Sequence, residues 1–379
     1  MPCYLLEPQS PLVFRSGKPF ATGAEGDTLP FPLPSTLAGA LRTAYAEATA
    51  QGAPVDYRAR QSELLAVTVQ GPLLARRSLA QGSIERLFSK PADAVYLNTL
   101  RRLKPGALPS GAVCDLPSGL LPVFLETDDR GKPQPGPAFW GETAMQNWLQ
   151  DQDPGPLEPG GSASLPVDLR THVGLNPATL AADAGRLFQS AGLDSGPLRN
   201  ATARGWADHS HALLARISVN LPATWRRLGG DGRLVRVEPL ADIAWPDDCP
   251  SSLKTALKSA KGLRLILATP ALFTGGWKPG WLDERLEGTP PTAPSLHLRL
   301  RAVALDRWQA VSGWDLAADG PGKPRAVRRL VPAGAVYWFE ILGGAVHAPD
   351  LWLHAVSDQE QDRRDGFGLA LPGIWNDIQ

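Results

Sequence analysis

The clearest pattern of apolar and polar positions runs through residues 29–50, LPFPLPSTLAGALRTAYAEATA. Apolar side chains recur at the spacing that lines one face of a helix, at Leu37, Ala40, Leu41, Ala44, Tyr45 and Ala48. Pro34 holds the entering chain extended, so we expect the Ser35 hydroxyl to cap the helix. The pattern predicts that Leu37, Leu41 and Tyr45 face the core and that Arg42 lies off the buried face.

The start of such a helix also suits an anion. Its first backbone N–H groups lack partners within the helix, and it carries a partial positive charge. A capped amphipathic helix packed on a sheet explains the same pattern without any ligand. The sequence therefore leaves two interpretations open: packing alone, or packing together with a phosphate site at Ser35 and Thr36.

Short apolar runs and alternating stretches predict strands along the rest of the chain. They lie at residues 4–14, 64–74, 84–88, 94–97, 167–173, 184–189, 209–221, 228–240, 263–268, 296–305 and 331–342. A second helix is predicted at residues 251–260, with Ser251 or Ser252 as its cap. The order strand, basic glycine turn, loop and helix opens a ferredoxin-like or RRM-like fold. We expect an α+β protein with antiparallel sheets and long loops rich in glycine and proline.

Length favours two domains, because a single core rarely grows beyond about 250–300 residues and the chain has 379. Polar stretches rich in proline and glycine at residues 126–137 and 150–166 predict an insertion, with a short helix at residues 140–149. We expect an N-terminal domain at residues 1–228, with an insertion around residues 126–166 that could bind a partner. The C-terminal domain then covers residues 229–379.

Charge and cysteine content limit the kinds of site. Lys plus Arg and Asp plus Glu number 38 each, so any site for a polyanion must be local. The three isolated cysteines fit a reducing cytosol and argue against a disulfide framework or a zinc site. We see neither a signal peptide nor about 18 consecutive apolar residues. A cytoplasmic protein without a metal or other cofactor is expected.

The histidines are the first candidates for chemistry. His209 and His211 lie two positions apart, which on a strand places both on one face. No carboxylate or cysteine cluster accompanies them at ligand spacing, and no nucleotide-binding or hydrolase motif is present. We therefore expect no enzyme activity, although either histidine could act as a general base.

Arginine and lysine beside glycine turns are the most informative signal. The first cluster comprises Arg226, Arg227, Gly229, Gly230, Gly232, Arg233 and Arg236. The others comprise Arg15 and Lys18 around Gly17, and Lys323, Arg325, Arg328 and Arg329. Glycine lets backbone N–H groups approach a phosphate, and arginine binds phosphate through two parallel hydrogen bonds.

Each cluster alone is more typical of a solvated basic turn, but three of them beside predicted RRM-like sheets favour RNA. Trp225, Trp277 and Trp308 neighbour basic residues and could stack on bases.

Several segments resemble the third subunit of the Cmr complex of type III-B CRISPR systems, a family of RAMP proteins. They are YLLEPQSPLVFRSGKPF, LPFPLPSTLAGALRTA, HVGLNPATLAADAGRLF, LGGDGRLVRV, SGWDL with GKPRAVRRLVPAGAVYWFE, and GFGLALPGIW. The first-helix and VPAGAVYWFE segments are the most specific. The resemblance extends from Tyr4 to Trp375 and weakens between about residues 126 and 166.

This resemblance implies two ferredoxin-like (RRM-like) folds in tandem and a non-catalytic subunit that holds the five-prime tag of the guide RNA (crRNA). It implies two protein partners, the large polymerase-like subunit and the backbone RAMP subunit. The implied RNA contacts are Arg15, Lys18, Ser35, Thr36, Arg226, Arg227, Gly229, Gly230, Gly232, Arg233, Lys323, Arg325, Gly366, Phe367 and Gly368. The balanced net charge suggests an affinity for RNA that depends on the assembled complex.

Two other functions stay open on the sequence. The first is a RAMP-family endoribonuclease that processes the guide-RNA precursor, with His209 or His211 as general base. The second is a protein scaffold without RNA contacts.

Overall fold

The structure, a computed structural model, describes residues 1–15, 28–127, 131–155, 161–162, 164–197, 206–240, 245–315 and 323–377. The first strands are β1 (Cys3–Pro8), β2 (Val69–Ser78), β3 (Ile84–Ser89), β4 (Ala94–Tyr96), β5 (Leu100–Pro105), β6 (Val123–Leu125), β7 (Phe139–Gly141), β8 (Gly161–Ser162), β9 (Val167–Leu175), β10 (Ala182–Leu193) and β11 (His209–Ile217). They are followed by β12 (Thr224–Arg227), β13 (Leu234–Leu240), β14 (Gly262–Leu267), β15 (Glu287–Gly288), β16 (His297–Ala304), β17 (Gln309–Val311), β18 (Trp314–Asp315), β19 (Lys323–Pro324), β20 (Arg328–Leu330), β21 (Val336–Gly343) and β22 (Ala370–Trp375).

The helices are α1 (Pro34–Thr49), α2 (Gln61–Ala66), α3 (Glu142–Leu149), α4 (Ser251–Lys258) and α5 (Glu360–Arg364), with a 3₁₀ helix at Ala345–Leu351. Within the described ranges, none of them is long and apolar enough to cross a membrane. The protein is therefore of mixed helix and strand, with antiparallel sheets and few helices, as the sequence predicts.

The chain forms two units, each built from separate stretches. The first unit comprises Met1–Ile84, Ser164–Ala244 and Ala310–Arg328, and the second comprises Glu85–Ala163, Trp245–Gln309 and Arg329–Gln379. This differs from the predicted division at residue 228, because β12 and β13 pair with each other across that point. The predicted insertion around residues 126–166 falls largely in the second unit and does not extend the first.

In the first unit, an antiparallel sheet has the order β12-β13-β1-β11-β2. The central strand β1 is buried from Cys3 to Leu6, and Leu5 lies opposite Leu214 on one side and Glu238 on the other. Counted along the chain, β1, β2, β11 and β13 are the first to fourth strands of this set. Their order across the sheet is fourth, first, third and second.

Helix α1 contributes its apolar face to the core of the first unit. Leu37 and Leu41 are fully buried, as predicted, whereas Tyr45 is only half-buried. The prediction that Arg42 lies off the buried face is wrong. Arg42 is buried and donates from Nε and Nη2 to the Val67 carbonyl oxygen, at 3.0 and 2.8 Å. These bonds offset the cost of burying a charged group.

The predicted helix caps are wrong as well. Leu33 is the N-cap of α1 and makes no side-chain cap hydrogen bond, and the helix begins at Pro34. Proline suits the first helical position because its fixed φ is already helical and it has no N–H to satisfy. Pro250, and not Ser251 or Ser252, precedes the first residue of α4.

Most predicted strands are present with shifted ends. The hairpin predicted from residues 167–173 and 184–189 is formed by β9 and β10. The strand predicted at residues 64–74 starts only at Val69, since Gln61–Ala66 is helical. A short apolar run such as LLAVTV does not distinguish helix from strand by periodicity.

The second unit contains an antiparallel sheet of order β15-β16-β21-β14-β22. All residues of β14 are buried, as expected for a strand paired on both sides. The strands β14, β16, β21 and β22 again have the order fourth, first, third and second when read from β22. Two units thus share one strand order.

A buried group of charges joins α3 to this sheet. Asp93, which is fully buried, accepts from Arg264 Nη1 at 3.0 Å and from Trp148 Nε1 at 2.9 Å. Arg102 pairs with Asp151 at 2.7 Å and lies over the Trp148 ring. Burial and the neighbouring Arg264 lower the pKa of Arg102 to about 10. These contacts explain why residues 85–155 pack with the second unit.

Candidate nucleic-acid interface

A cavity of about 840 Å³ lies in the first unit, between α1, the segment 13–15 and the hairpin of β12 and β13. It brings together seven of the residues that the sequence predicts as RNA contacts. They are Arg15, Ser35, Thr36, Arg226, Arg227, Gly229 and Gly230. The cavity combines positive charge, a helix start and glycine backbone, which is the chemistry that a phosphate chain requires.

One wall of the cavity is a face of α1 with small side chains. Ser35, Gly39 and Thr43 follow each other at four-residue spacing, so they lie one above another on the helix. A Cβ atom at Gly39 would meet nothing within 4 Å, which shows that this face is open. The N-cap of this helix is Leu33, without a side-chain cap hydrogen bond, and Ser35 lines the cavity.

The opposite wall is β12. Trp225, Arg226 and Arg227 all line the cavity, and Trp225 keeps 52% of its surface exposed. An exposed indole beside arginine side chains can stack on a nucleic-acid base. Of the three tryptophans that the sequence predicts as candidates for stacking, Trp225 lines this cavity.

The glycine turn between β12 and β13 packs against the segment 13–15. Gly229 has a φ of +79°, and a Cβ atom there would lie 2.4 Å from the Val13 carbonyl oxygen. The Gly230 N–H donates to the same oxygen at 2.8 Å. The glycines therefore hold the turn close to the neighbouring chain, and the Gly230 amide is already occupied. Their contribution to the cavity is to position the arginines.

The charges of the cavity are partly compensated. Arg226 Nη1 lies 2.6 Å from Glu47 Oε2, and Glu47 Oε1 accepts from the Tyr57 hydroxyl at 3.0 Å. Partial burial, together with the hydrogen bond to Glu47, raises the pKa of the Tyr57 phenol. Arg15 and Asp231 form a longer pair, at 3.7 Å, with both side chains exposed. Arg227 is exposed as well.

Other predicted contacts lie elsewhere. Gly232 and Arg233 belong to the same turn but do not line the cavity, and Lys18 lies outside the described residues. Lys323 and Arg325 are exposed at β19, where the Arg325 N–H donates to the Gly313 carbonyl at 2.8 Å. They form a separate basic surface that does not line the cavity.

The turn Gly366–Gly368 is buried in the second unit. Phe367 is 1% exposed, and its carbonyl accepts from the Ser357 hydroxyl at 2.9 Å. The Gly366 carbonyl accepts from Thr269, and the Gly368 N–H donates to the Pro270 carbonyl at 2.7 Å. The hydrogen bonds of this turn are made within the second unit and Phe367 is buried there, so the structure does not support the predicted RNA contact at this turn.

His209 and His211 are neighbours on β11, with ring centroids 5.6 Å apart. Only 5% of His211 is exposed, and burial, with the nearby His209 and Arg76, lowers its pKa to about 4. The His209 ring contacts Asp208 at 3.0 Å. In the described part of the chain, no group of three or more metal-ligating side chains occurs. Neither histidine lines the cavity.

On α1, the sequence prediction does not include Gly39, Thr43 and Glu47, which also line the cavity. The sequence signal for Gly39 and Thr43 is the recurrence of small residues at four-residue spacing from Ser35 to Thr43, on a different helix face from the apolar stripe. Glu47 has no such signal, because its partner Arg226 is 179 residues away in the sequence.

The fold and the cavity define an α+β protein with a candidate RNA interface. A family model described as CRISPR-associated protein (Cas_Cmr3) matches residues 4–375. The match spans nearly the whole chain, and the chain therefore belongs to this family, as the resemblance predicted. Membership of this family indicates that the protein is a component of a type III-B CRISPR effector complex, the Cmr complex.

Solved structures give more distant similarities. The chain is similar to a chain of the type III-B Cmr-beta complex bound to cognate target RNA, with 16% identity and a TM-score of 0.48, covering 89% of this chain and 86% of that one. It is also similar to a chain of the Csm3-Csm4 subcomplex of the type III-A interference complex, with 10% identity and a TM-score of 0.37, covering 90% and 94%. No curated protein matches the sequence.

Proposed function

We propose that this protein is a non-catalytic, guide-RNA-binding subunit of a type III-B Cmr effector complex. It acts in the cytoplasm, holds the five-prime tag of the guide RNA and docks the large polymerase-like subunit and the backbone RAMP subunit. The observation that carries the proposal is the cavity of the first unit, where three arginines, an exposed tryptophan and the start of α1 meet.

Each part of the cavity has a role in this proposal. Arg226 and Arg227 bind phosphate oxygens, and the open face of α1 at Ser35 and Thr36 admits the backbone of the RNA. Trp225 stacks on an unpaired base. Single-stranded RNA is the fitting ligand, because its bases are free to stack.

The strand orders support a further part of the proposal, that both units are variants of the ferredoxin-like fold. In each unit the four strands have the order fourth, first, third and second in an antiparallel sheet. In the first unit α1 connects the first and second strands, as in a βαββαβ motif. Where that motif has its second helix, the described residues of this unit contain β12.

A non-catalytic role is favoured by the state of the histidines. His211 is shielded from solvent, and a pKa of about 4 makes it a weak base at neutral pH. Incubation with a repeat-containing transcript tests this point. Metal-independent cleavage that disappears in His209→Ala or His211→Ala would support the processing endoribonuclease instead.

The first prediction concerns the cavity arginines. Replacing both Arg226 and Arg227 by alanine should weaken retention of guide RNA in the assembled complex, because two phosphate contacts are lost. The slope of log K against log salt should become shallower by up to about 1.4, since each contact on a single strand contributes about 0.7. Affinity measurements between low and physiological salt provide this slope.

The matched control is Lys254→Ala, which removes an exposed positive charge on α4, outside the cavity. It should leave the affinity and the slope unchanged. If the double variant retains guide RNA as well as the unmodified protein does, the cavity is not the RNA site. RNA crosslinks absent from this subunit would then favour a scaffold.

A further inference from the structure

The position of Glu47 in α1 is electrostatically unfavourable. It lies in the last turn of α1, where the negative end of the helix dipole disfavours an acidic side chain. That turn contains no basic residue to compensate it. The partners of its carboxylate come from outside the helix, the Tyr57 hydroxyl on Oε1 and Arg226 Nη1 on Oε2.

The Glu47 carboxylate forms an ion pair with Arg226, which the proposed function requires for phosphate binding. The Arg226 side chain is 20% exposed and lines the cavity, yet it lies 2.6 Å from Glu47. Among the charged residues that line the cavity, three are arginines and one is Glu47, which lowers the local charge from +3 to +2. A phosphate that approaches Arg226 therefore meets an arginine that is already paired.

We infer that Glu47 is an intramolecular competitor of RNA, which holds Arg226 until a phosphate of the guide RNA replaces it. The inference rests on the proposed function of the cavity. An incoming phosphate must break the ion pair of Arg226 and Glu47. The free energy of this pair therefore subtracts from the free energy of RNA binding. RNA that makes only phosphate contacts binds the cavity weakly for this reason. In the assembled complex, contacts between the RNA and partner subunits supply the rest of the binding free energy.

Glu47→Gln tests the inference, because glutamine keeps the size of the side chain but not its charge. We expect it to tighten binding of a single-stranded guide RNA about two- to fivefold at low salt, the range of one exposed ion pair. The salt slope should become steeper, because in the unmodified protein the displaced Glu47 carboxylate takes up a cation and offsets part of the counterion release at Arg226. The measurement uses the full chain with its large-subunit partner and a fluorescent guide RNA.

Two matched variants separate this effect from a general change of charge. Asp231→Asn removes the carboxylate that pairs with Arg15 at 3.7 Å, and its effect should be smaller than that of Glu47→Gln. Glu63→Gln neutralises a glutamate that pairs with Arg60 outside the cavity and should leave the affinity unchanged.

A double-mutant cycle decides the mechanism. In an Arg226→Ala background, Glu47→Gln should tighten binding less than it does in the unmodified protein, because there it removes only the repulsion between the carboxylate and the RNA. The inference is overturned if Glu47→Gln weakens binding, leaves it unchanged, or tightens it equally in both backgrounds. Failure of the proposed function looks different: the replacement of Arg226 and Arg227 by alanine would then leave RNA binding intact, and the inference would fall with it.

Discussion

Gly229 shows how one residue fixes the geometry of the interface. Its positive φ is a conformation that residues with a Cβ atom rarely adopt. The Val13 carbonyl oxygen lies where that Cβ atom would stand. Only glycine satisfies both conditions, so the turn that orients Arg226 and Arg227 depends on this position.

Replacing Gly229 by alanine should therefore destabilise the protein by about 2–5 kcal/mol, the sum of the left-handed backbone cost and of overpacking. Gly232→Ala is the matched control. It also has a positive φ, of +67°, but its Cβ atom would meet nothing within 4 Å, so only the backbone cost remains. Urea denaturation of both variants gives the difference. Equal losses would contradict the role of the Val13 contact.

His211 predicts a dependence of stability on pH. Its pKa is lowered to about 4 by burial and by the nearby His209 and Arg76, whereas an unfolded histidine titrates near 6.5. Between these values the unfolded chain binds more protons than the native protein does. The free energy of unfolding should therefore fall as the pH drops from about 6.5 to about 4.

This loss should be smaller in His211→Gln, which has no imidazole to protonate. Chemical denaturation at several pH values measures the profiles of the unmodified protein and of the variant. Parallel profiles for the unmodified protein and for His211→Gln would show that His211 does not titrate in this window.

At the scale of elements, α1 serves both the core and the cavity. Leu37 and Leu41 face the sheet, while Ser35, Gly39 and Thr43 face the cavity. The helix begins at Pro34 without a side-chain cap, so its start does not depend on a hydroxyl. This leaves the Ser35 side chain free for a role in binding.

Ser35→Ala separates these two roles. We expect a change in the free energy of unfolding within about 0.5 kcal/mol, as for a surface substitution, whereas loss of a true cap would cost about 1 kcal/mol. Guide-RNA affinity in the assembled complex should fall at the same time. Thermal or urea unfolding supplies the first value, and a loss of stability above 1 kcal/mol would restore Ser35 as the cap.

For the whole molecule, a net charge of zero conceals separate basic surfaces. The cavity is one, and the exposed stretch from Lys323 to Arg328 of the same unit is another. Clustered Lys and Arg side chains are typical of a surface that binds phosphate groups.

Reversing the charges of Lys323 and Arg325 tests whether this second surface binds the same RNA. If it does, the loss of affinity should add to that of the Arg226 and Arg227 replacements, because distant, independent sites contribute additively. Arg285→Glu, an exposed charge reversal in the second unit, is the control. An affinity that the Lys323 and Arg325 reversals leave unchanged would restrict the RNA interface to the cavity.

The sequence by itself determined the class of fold, the family and most elements of regular structure. Alternating apolar residues predicted β16, and the three- and four-residue spacing predicted α1, because these patterns are local. The basic glycine turn at residues 226–233 was also visible, since its residues are neighbours in the chain.

Only the tertiary structure decided which of these residues meet. Arg226 and Glu47 are 179 positions apart, and their pairing follows from the way β12 and α1 pack in the first unit. Arg42 looked like a surface residue until the Val67 carbonyl, 25 positions away, gave it a buried partner. The family resemblance implies Phe367 as an RNA contact, yet it packs inside the second unit. Long-range contacts leave no periodic signal in the chain, and for this reason the cavity emerged only from the folded protein.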